Sequence, residues 1–391
     1  MLGLYGWRTA AFTVDAPSGF RPDYGLHRGF QHMDIVRAPR DTPDGRFGPG
    51  EIGPGGASAA PVEAWLATAP ADRPVFVMFH TRTAHFPFVI DETGVDADTT
   101  GISRLLWEAG RSQRPVAGGA MPGMAGGTAQ KGVVSLHGPD PLQVRVSELG
   151  APAVAAWGAR YAEAVGRMDL DVGRVMDALR ARGRLDRTIV VVVADHGESL
   201  DDHGELLHGD AYFDSVVNVP LVMKVPGMAG REVPALVSHV DLLPTLLELV
   251  GAVPPEGLDG ALLVPLLDGK VEKVRDLTLV EGGVVRQTDT VPRGAVISRE
   301  WALLRQDRGC GGSGGAPRQP GEPATCLFDR GADPAQDRDV AADRPDVVAE
   351  LVSRWDRFRA ARAGVADSLA LDPAFVEELR KSGYDFRASA P

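Results

Sequence analysis

No run of 18 or more apolar residues occurs in this 391-residue chain, so no helix of membrane-spanning length is written into it. Cysteine is scarce: Cys310 and Cys326 are the only two, and they flank a Gly/Pro-rich segment. A bond between them is open, and a single pair says little about the redox compartment. Positive charge is in deficit, with 41 Lys and Arg against 53 Asp and Glu and a net charge of -12. That balance argues against a nucleic-acid partner and against anchoring on anionic lipid. An anionic substrate would need a local positive source, such as a metal ion. The opening residues MLGLYGWRTAAF lack the basic, apolar and small-residue order of a secretory signal, and the compartment stays unassigned. No internal repeat is present.

What is present is the texture of a globular α/β protein, 44% apolar and long enough for a large core. Ile189 to Val193 is an unbroken β-branched run, the pattern of a strand buried on both faces in a parallel sheet. Pro74 to Phe79 is a second such run, and Trp7 to Val14 reads as a third strand. Residues 16–61 are rich in Pro, Gly and Asp and read as irregular surface. Val62 to Ala69 reads as a short helix, and residues 91–150 as a long excursion with a short helix near Ser103 to Ala109. From Tyr161 to Arg182 the period becomes helical, with Val165, Met168, Val172, Val175, Met176 and Leu179 on one face and Gly183 placed to end the helix. A further strand over Pro220 to Val225 and a helix over Leu242 to Val250, with Asp241 as its N-cap, continue the α/β succession. After residue 270 short strands take over, at Leu277 to Val280, Ala295 to Ser298, Trp301 to Arg305 and Cys326 to Phe328. An amphipathic helix follows Pro345. The expected fold is thus α/β, with a mainly parallel central sheet flanked by helices over residues 1–270 and a small antiparallel subdomain over 271–391.

The buried run at 189–193 ends in Ala194-Asp195-His196-Gly197. Ligands bind at the carboxyl ends of strands in open α/β sheets. Asp195 offers an acidic oxygen and His196 a neutral imidazole to a divalent cation. A bare Asp-His pair more often means a helix cap and a polar loop residue. Here Glu198, Asp201, Asp202, His203, Glu205 and His208 follow in one loop, more titratable groups than a connection requires. Asp201, Asp202 and Glu205 are the candidates for solvated surface. The run ending at Phe79 likewise delivers His80, Thr81, Arg82 and His85. His85 and His208 suit a second role, as donors to the oxygens of a transferred sulfuryl or phosphoryl group or as the acid for its leaving oxygen.

The segment from Val193-Ala194-Asp195-His196-Gly197-Glu198 through His203-Gly204, His208-Gly209, Tyr212, Val219-Pro220-Leu221 and Pro226-Gly227 resembles the sulfatase family of the alkaline-phosphatase-like superfamily. So do Gly6-Trp7-Arg8-Thr9-Ala10-Ala11-Phe12 with Gly25 to Phe30, and Thr83-Ala84-His85-Phe86-Pro87-Phe88, where Phe88 replaces the family's Tyr. Tyr161 to Gly183, His239 to Thr245, Leu258-Asp259-Gly260, Leu327-Phe328-Asp329 with Asp333-Pro334, and Glu378 to Tyr384 continue the resemblance in order along nearly the whole chain. The resemblance implies hydrolysis of a sulfate ester of a small molecule or glycan. It implies Asp195 and His196 as ligands to a divalent cation, Ca2+ first, with Mg2+ or Mn2+ as alternatives. His85 and His208 would contact the sulfate or protonate the leaving oxygen. Many sulfatases carry Lys near the place of His208, where this chain has His-Gly, and some carry Asn where His196 stands. Family members are often extracytoplasmic.

The main departure is at the nucleophile. The family's formylglycine arises from Cys or Ser in a C-x-P-S-R or S-x-P-S-R segment, near a strand with two further aspartate ligands. Neither segment occurs here, and Cys310, Cys326 and Ser18 lack the context. The expectation from the residues is about half of a metal site and no attacking group. Three readings stay open: a truncated sulfatase, a phosphodiesterase or phosphoglycerol transferase of the same superfamily, or a non-catalytic binding protein on the sulfatase fold.

Overall fold

A computed structural model describes residue 2 and residues 6–15, 29–37, 58–85, 141–204, 206–208, 212–281, 293–306, 310 and 324–362. These fall into two compact units, one ending at Arg187 and one beginning at Thr188. The helix expected near Ser103 to Ala109 and the motif at Glu378 to Tyr384 lie outside the described residues.

The first unit is built on a parallel sheet. Strand β1 (Arg8–Asp15) lies between β2 (His32–Arg37) and β3 (Val75–Phe79), and both pairings are parallel. Thr9 to Val14 are all buried, as a central strand covered on both faces requires. Strand β2 lies inside the stretch read as irregular surface, a correction to the sequence reading. Its six residues are strand through their register with β1, Ala10 against His32 to Asp15 against Arg37.

Helix α1 (Ala59–Thr68) buries Ala59, Val62, Trp65 and Leu66, spaced on one helical face. Trp65 meets Phe12 of β1 edge-on, 6.3 Å between ring centroids. Helix α2 (Pro141–Ala181) begins about twenty residues before the helix read from periodicity and carries Pro152 within it. Its end is as expected: Gly183 has φ of 62°, its N–H donates to the Arg180 carbonyl, and that of Arg184 to Leu179. Arg182 donates to the Ala67 carbonyl and Arg184 to the carbonyls of Pro70 and Arg73. The arginines closing one helix thus satisfy carbonyls orphaned at and beyond the end of the other.

The second unit begins with β4 (Val190–Val193) and β7 (Leu221–Lys224), which pair antiparallel, Val190 against Lys224 and Val193 against Leu221. The sequence reading has them in a parallel succession. Parallel neighbours need a crossover, usually a helix long enough to span the sheet. Among the described residues, the connection from 194 to 220 holds the two-residue strands β5 (Ser199–Leu200) and β6 (Leu206–Leu207), a 3-10 turn at Asp202–Gly204 and the four-residue helix α3 (Asp214–Val217), none long enough to cross a sheet. It therefore returns the chain alongside itself. Strand β4 is also less covered than its run of valines implies: its residues are half-buried and Val193 is 38% exposed, with β7 its one partner among the described residues.

A short 3-10 turn at His239–Asp241 leads into helix α4 (Leu242–Leu249), and α5 (Val264–Leu267) follows. Strands β8 (Leu277–Glu281), β9 (Gly294–Ser298), β10 (Trp301–Gln306) and β11 (Ala324–Asp329) form the expected antiparallel meander, in the order β11-β10-β9-β8. Alternate residues face opposite ways. Val296, Leu303 and Leu327 pack against Val347, Leu351 and Trp355 of helix α6 (Pro345–Arg362). Ala295, Ile297, Leu304, Cys326 and Phe328 pack against Tyr212 and Phe213. The sheet thereby holds the segment that follows the histidine-rich loop. Gln306 accepts from the Tyr212 N–H at 3.1 Å, Gln336 accepts from the Asp214 N–H at 2.7 Å, and Arg330 pairs with Asp214 at 3.0 Å.

Cys310 and Cys326 form a disulfide across a separation of 16 residues, with Cys326 fully buried on β11. Closing a loop of that size stabilises by about 3 kcal/mol in the chain-entropy account. Cys310→Ser is expected to lower the unfolding free energy by about 2–4 kcal/mol in urea titrations; a midpoint equal to the parent's would refute a structural role. Among the described residues, no helix is long and apolar enough to cross a membrane.

Candidate functional site

Strand β4 ends at Val193, and the next three residues form a tight constellation. The Asp195 side chain is 76% exposed, and one carboxylate oxygen accepts the His196 N–H at 3.0 Å. His196 Nδ1 lies 2.8 Å from the Gly197 carbonyl. A carbonyl can only accept, so Nδ1 carries the proton, and in the neutral ring Nε2 carries the lone pair. Nε2 lies 3.8 Å from the second Asp195 oxygen. Metal-ligating histidines commonly donate their other ring N–H to a carbonyl or carboxylate, and His196 makes a bond of that kind to Gly197. The donors, one carboxylate oxygen and one nitrogen, suit a hard or borderline divalent cation bound at roughly 2.0–2.6 Å from each.

The His208 ring lies 4.0 Å from that of His196, centroid to centroid. The structure therefore brings Asp195, His196 and His208 together. Gly197 donates its N–H to the Val216 carbonyl at 2.7 Å, which ties the loop to α3. Glu198 is buried, and burial pushes its carboxyl up to about 8. Among the described residues, none donates to its Oε1. Asp201 and Asp202 are exposed, as expected of solvated surface, and Glu205 lies outside the described residues. Partial desolvation of the Asp201 carboxyl, and then the neighbouring Asp202, raise its pKa. His203 is a packing residue: its ring stacks on Phe213 at 3.8 Å and its side chain is 7% exposed.

His85 belongs to the first unit, in the turn after β3. Arg82 Nη2 lies 3.1 Å from its Nδ1 and 3.2 Å from its Nε2, placing a guanidinium against the imidazole. His80, from the same strand end, shares a 2.9 Å hydrogen bond with the Thr13 hydroxyl of β1. Sequence reasoning missed His239, whose Nε2 lies 2.8 Å from the Ala194 carbonyl. Nothing in the spacing joins residues 45 positions apart. Asp241, read as the N-cap of α4, makes no such bond. It is fully buried and instead closes a capping box with Ser238 around the 3-10 turn. It also accepts the Ala261 N–H at 2.7 Å and pairs with Arg275. Among the described residues, the group of three potential ligand side chains within reach of one another is Cys310, Cys326 and Asp339, and its two sulfurs are in the disulfide.

The family model for sulfatases matches residues 56–252, about half of the chain and the span that holds this constellation. The chain belongs to the sulfatase family. An extracellular sulfatase SULF-1 homolog of Drosophila melanogaster is 38% identical over 111 residues, 28% of this chain and 10% of that protein. Across the curated relatives such matches cover 10% to 22% of their length, so the chain spans well under two thirds of them. The sulfatase fold extends further than the sequence identity. A 2-O GAG sulfatase structure superposes with a TM-score of 0.63 at 18% identity, covering 97% of this chain and 76% of that one. A phosphonate monoester hydrolase of Agrobacterium radiobacter superposes with a TM-score of 0.57 at 21% identity, covering 93% of this chain and 79% of that one. The α/β fold, with its parallel sheet and its antiparallel C-terminal meander, is therefore the alkaline-phosphatase-like fold of sulfatases.

Proposed function

We propose that the chain carries the cation-and-histidine part of a sulfate-ester hydrolase site, acting on a sulfated small molecule or glycan. Residues 1–270 would form the catalytic part and 271–391 the smaller C-terminal subdomain. Asp195 and His196 would hold the divalent cation, Ca2+ in the first place, with Mg2+ or Mn2+ as alternatives. The observation that carries the proposal is His196: its Nδ1 donates to the Gly197 carbonyl at 2.8 Å, and its Nε2 lies 3.8 Å from an Asp195 carboxylate oxygen. When bound, the cation supplies positive charge to a sulfate oxygen. That charge is needed in a chain whose net charge is -12.

His208, packed against His196, would donate to a sulfate oxygen or give its proton to the alcohol oxygen as the bond to sulfur breaks. The same role is proposed for His85, in the turn after β3, where Arg82 at its ring adds a fixed positive charge. A formylglycine does not fit any cysteine of this chain. Both are in the disulfide and neither lies in a Pro-Ser-Arg context, so neither cysteine is placed to become the attacking group.

The phosphonate monoester hydrolase likeness favours one second reading, a phosphorus ester in place of the sulfate ester. Calorimetric titration with 4-nitrophenyl sulfate, 4-nitrophenyl phosphate and phenylphosphonate, each with calcium, tests the choice. Calcium-dependent binding of the sulfate ester is expected, weakened about tenfold in His208→Ala. Preference for either phosphorus compound would overturn the sulfate reading, and binding of none would leave a sulfatase-fold protein without this site chemistry.

A further inference from the structure

We infer that His239 is a positioning residue for the proposed cation site, fixing through the Ala194 carbonyl the peptide that leads into Asp195 and His196. The β4–β7 register ends at Val193 against Leu221, so the ladder does not hold the Ala194 carbonyl. The His239 Nε2–H donates to that carbonyl at 2.8 Å instead. His239 is exposed, so burial does not account for its placement.

What makes this donor stiff lies behind it. His239 opens the 3-10 turn whose capping box joins Ser238 to Asp241. The Ser238 N–H donates to Asp241 Oδ2 at 2.8 Å, the Ala261 N–H donates to Oδ1, and Arg275 pairs with the same carboxylate. Gly260 packs so tightly on the Val240 carbonyl that a Cβ there would collide with it. The turn is thus fastened to two other parts of the second unit, and the hydrogen bond from its first residue reaches the residue before Asp195. Partners of this kind around metal ligands orient the ligands, and their loss typically lowers metal affinity 10- to 100-fold.

The inference rests on the reading of Asp195 and His196 as cation ligands, and its test separates the two. Calcium is titrated calorimetrically into the parent chain and into Asp195→Ala, His239→Ala and His239→Gln, with hydrogen exchange followed at the His196 and Gly197 amides. His239→Ala is expected to weaken calcium binding about tenfold and speed exchange at those amides, with an unchanged melting temperature. His239→Gln, which keeps an N–H within reach of the carbonyl, is expected to restore the affinity to within about threefold of the parent. Calcium binding lost in Asp195→Ala but unchanged in His239→Ala would overturn the inference alone. A parent that binds no calcium would overturn the cation reading and the inference with it.

Discussion

Asp241→Ala is expected to lower the unfolding free energy by about 3–5 kcal/mol, the largest single-residue loss of stability foreseen for this chain. The carboxylate is fully buried and collects three partners from separate stretches, the Ser238 and Ala261 N–H groups and the Arg275 guanidinium. Removing it leaves two backbone donors without their acceptor and a largely buried cation without its counter-charge. Desolvation already pulls the Arg275 guanidinium below its ordinary pKa, and the loss of Asp241 leaves that cost uncompensated. Asp241→Asn keeps two acceptor sites at most and is expected to fall between parent and Ala. Urea unfolding followed by circular dichroism checks both. A loss below about 1 kcal/mol for Ala would show that the network contributes little beyond a surface pair.

Gly197→Ala is expected to destabilise by about 2–3 kcal/mol and to weaken cation binding at least tenfold. Here the cause is space. A Cβ on Gly197 would collide with the Ser215 carbonyl oxygen and stand 3.0 Å from its carbon and 3.3 Å from Val216 Cα. These are backbone atoms of α3, fixed in turn by the Gly197 N–H bond to Val216 and by Arg330 and Gln336 on Asp214. The loop must move away, and the carbonyl that His196 Nδ1 donates to is Gly197's own. Val216→Ala, which trims the buried side chain but keeps that backbone, serves as a control that costs stability without moving the site. Equal cation affinity in parent and Gly197→Ala would show that the glycine is not required for the constellation.

The sequence makes some of this legible and not the rest, for physical reasons. Valine runs, turn residues and helical spacing are local signals, and they mark β3, the four meander strands and α6 closely. The Asp195–His196 pair stands out in the sequence as a candidate because a strand end is a place where chemistry gathers in α/β folds. Strand β2 is not legible, since His32–Arg37 has no strict alternation and owes its conformation to the register with β1. The first half of α2 is masked by Gly150, Pro152 and Gly158 and by weak apolar periodicity, although the chain stays helical through them. The direction of β7 follows from what its connection lacks, a crossover helix. Asp241 and His239 show the same limit in the site. Their partners Arg275 and Ala194 lie 34 and 45 residues away, so a capping role was the strongest local reading for Asp241 and none existed for His239.

The most direct test of the account is the calcium isotherm of the parent chain beside that of Asp195→Ala. Saturable binding is expected in the parent, weak if Asp195 and His196 alone supply the side-chain ligands, with a loss of at least tenfold in the variant at an unchanged melting temperature. Isotherms that coincide would place the cation elsewhere, or nowhere, and would remove the ground for reading the end of β4 as the site.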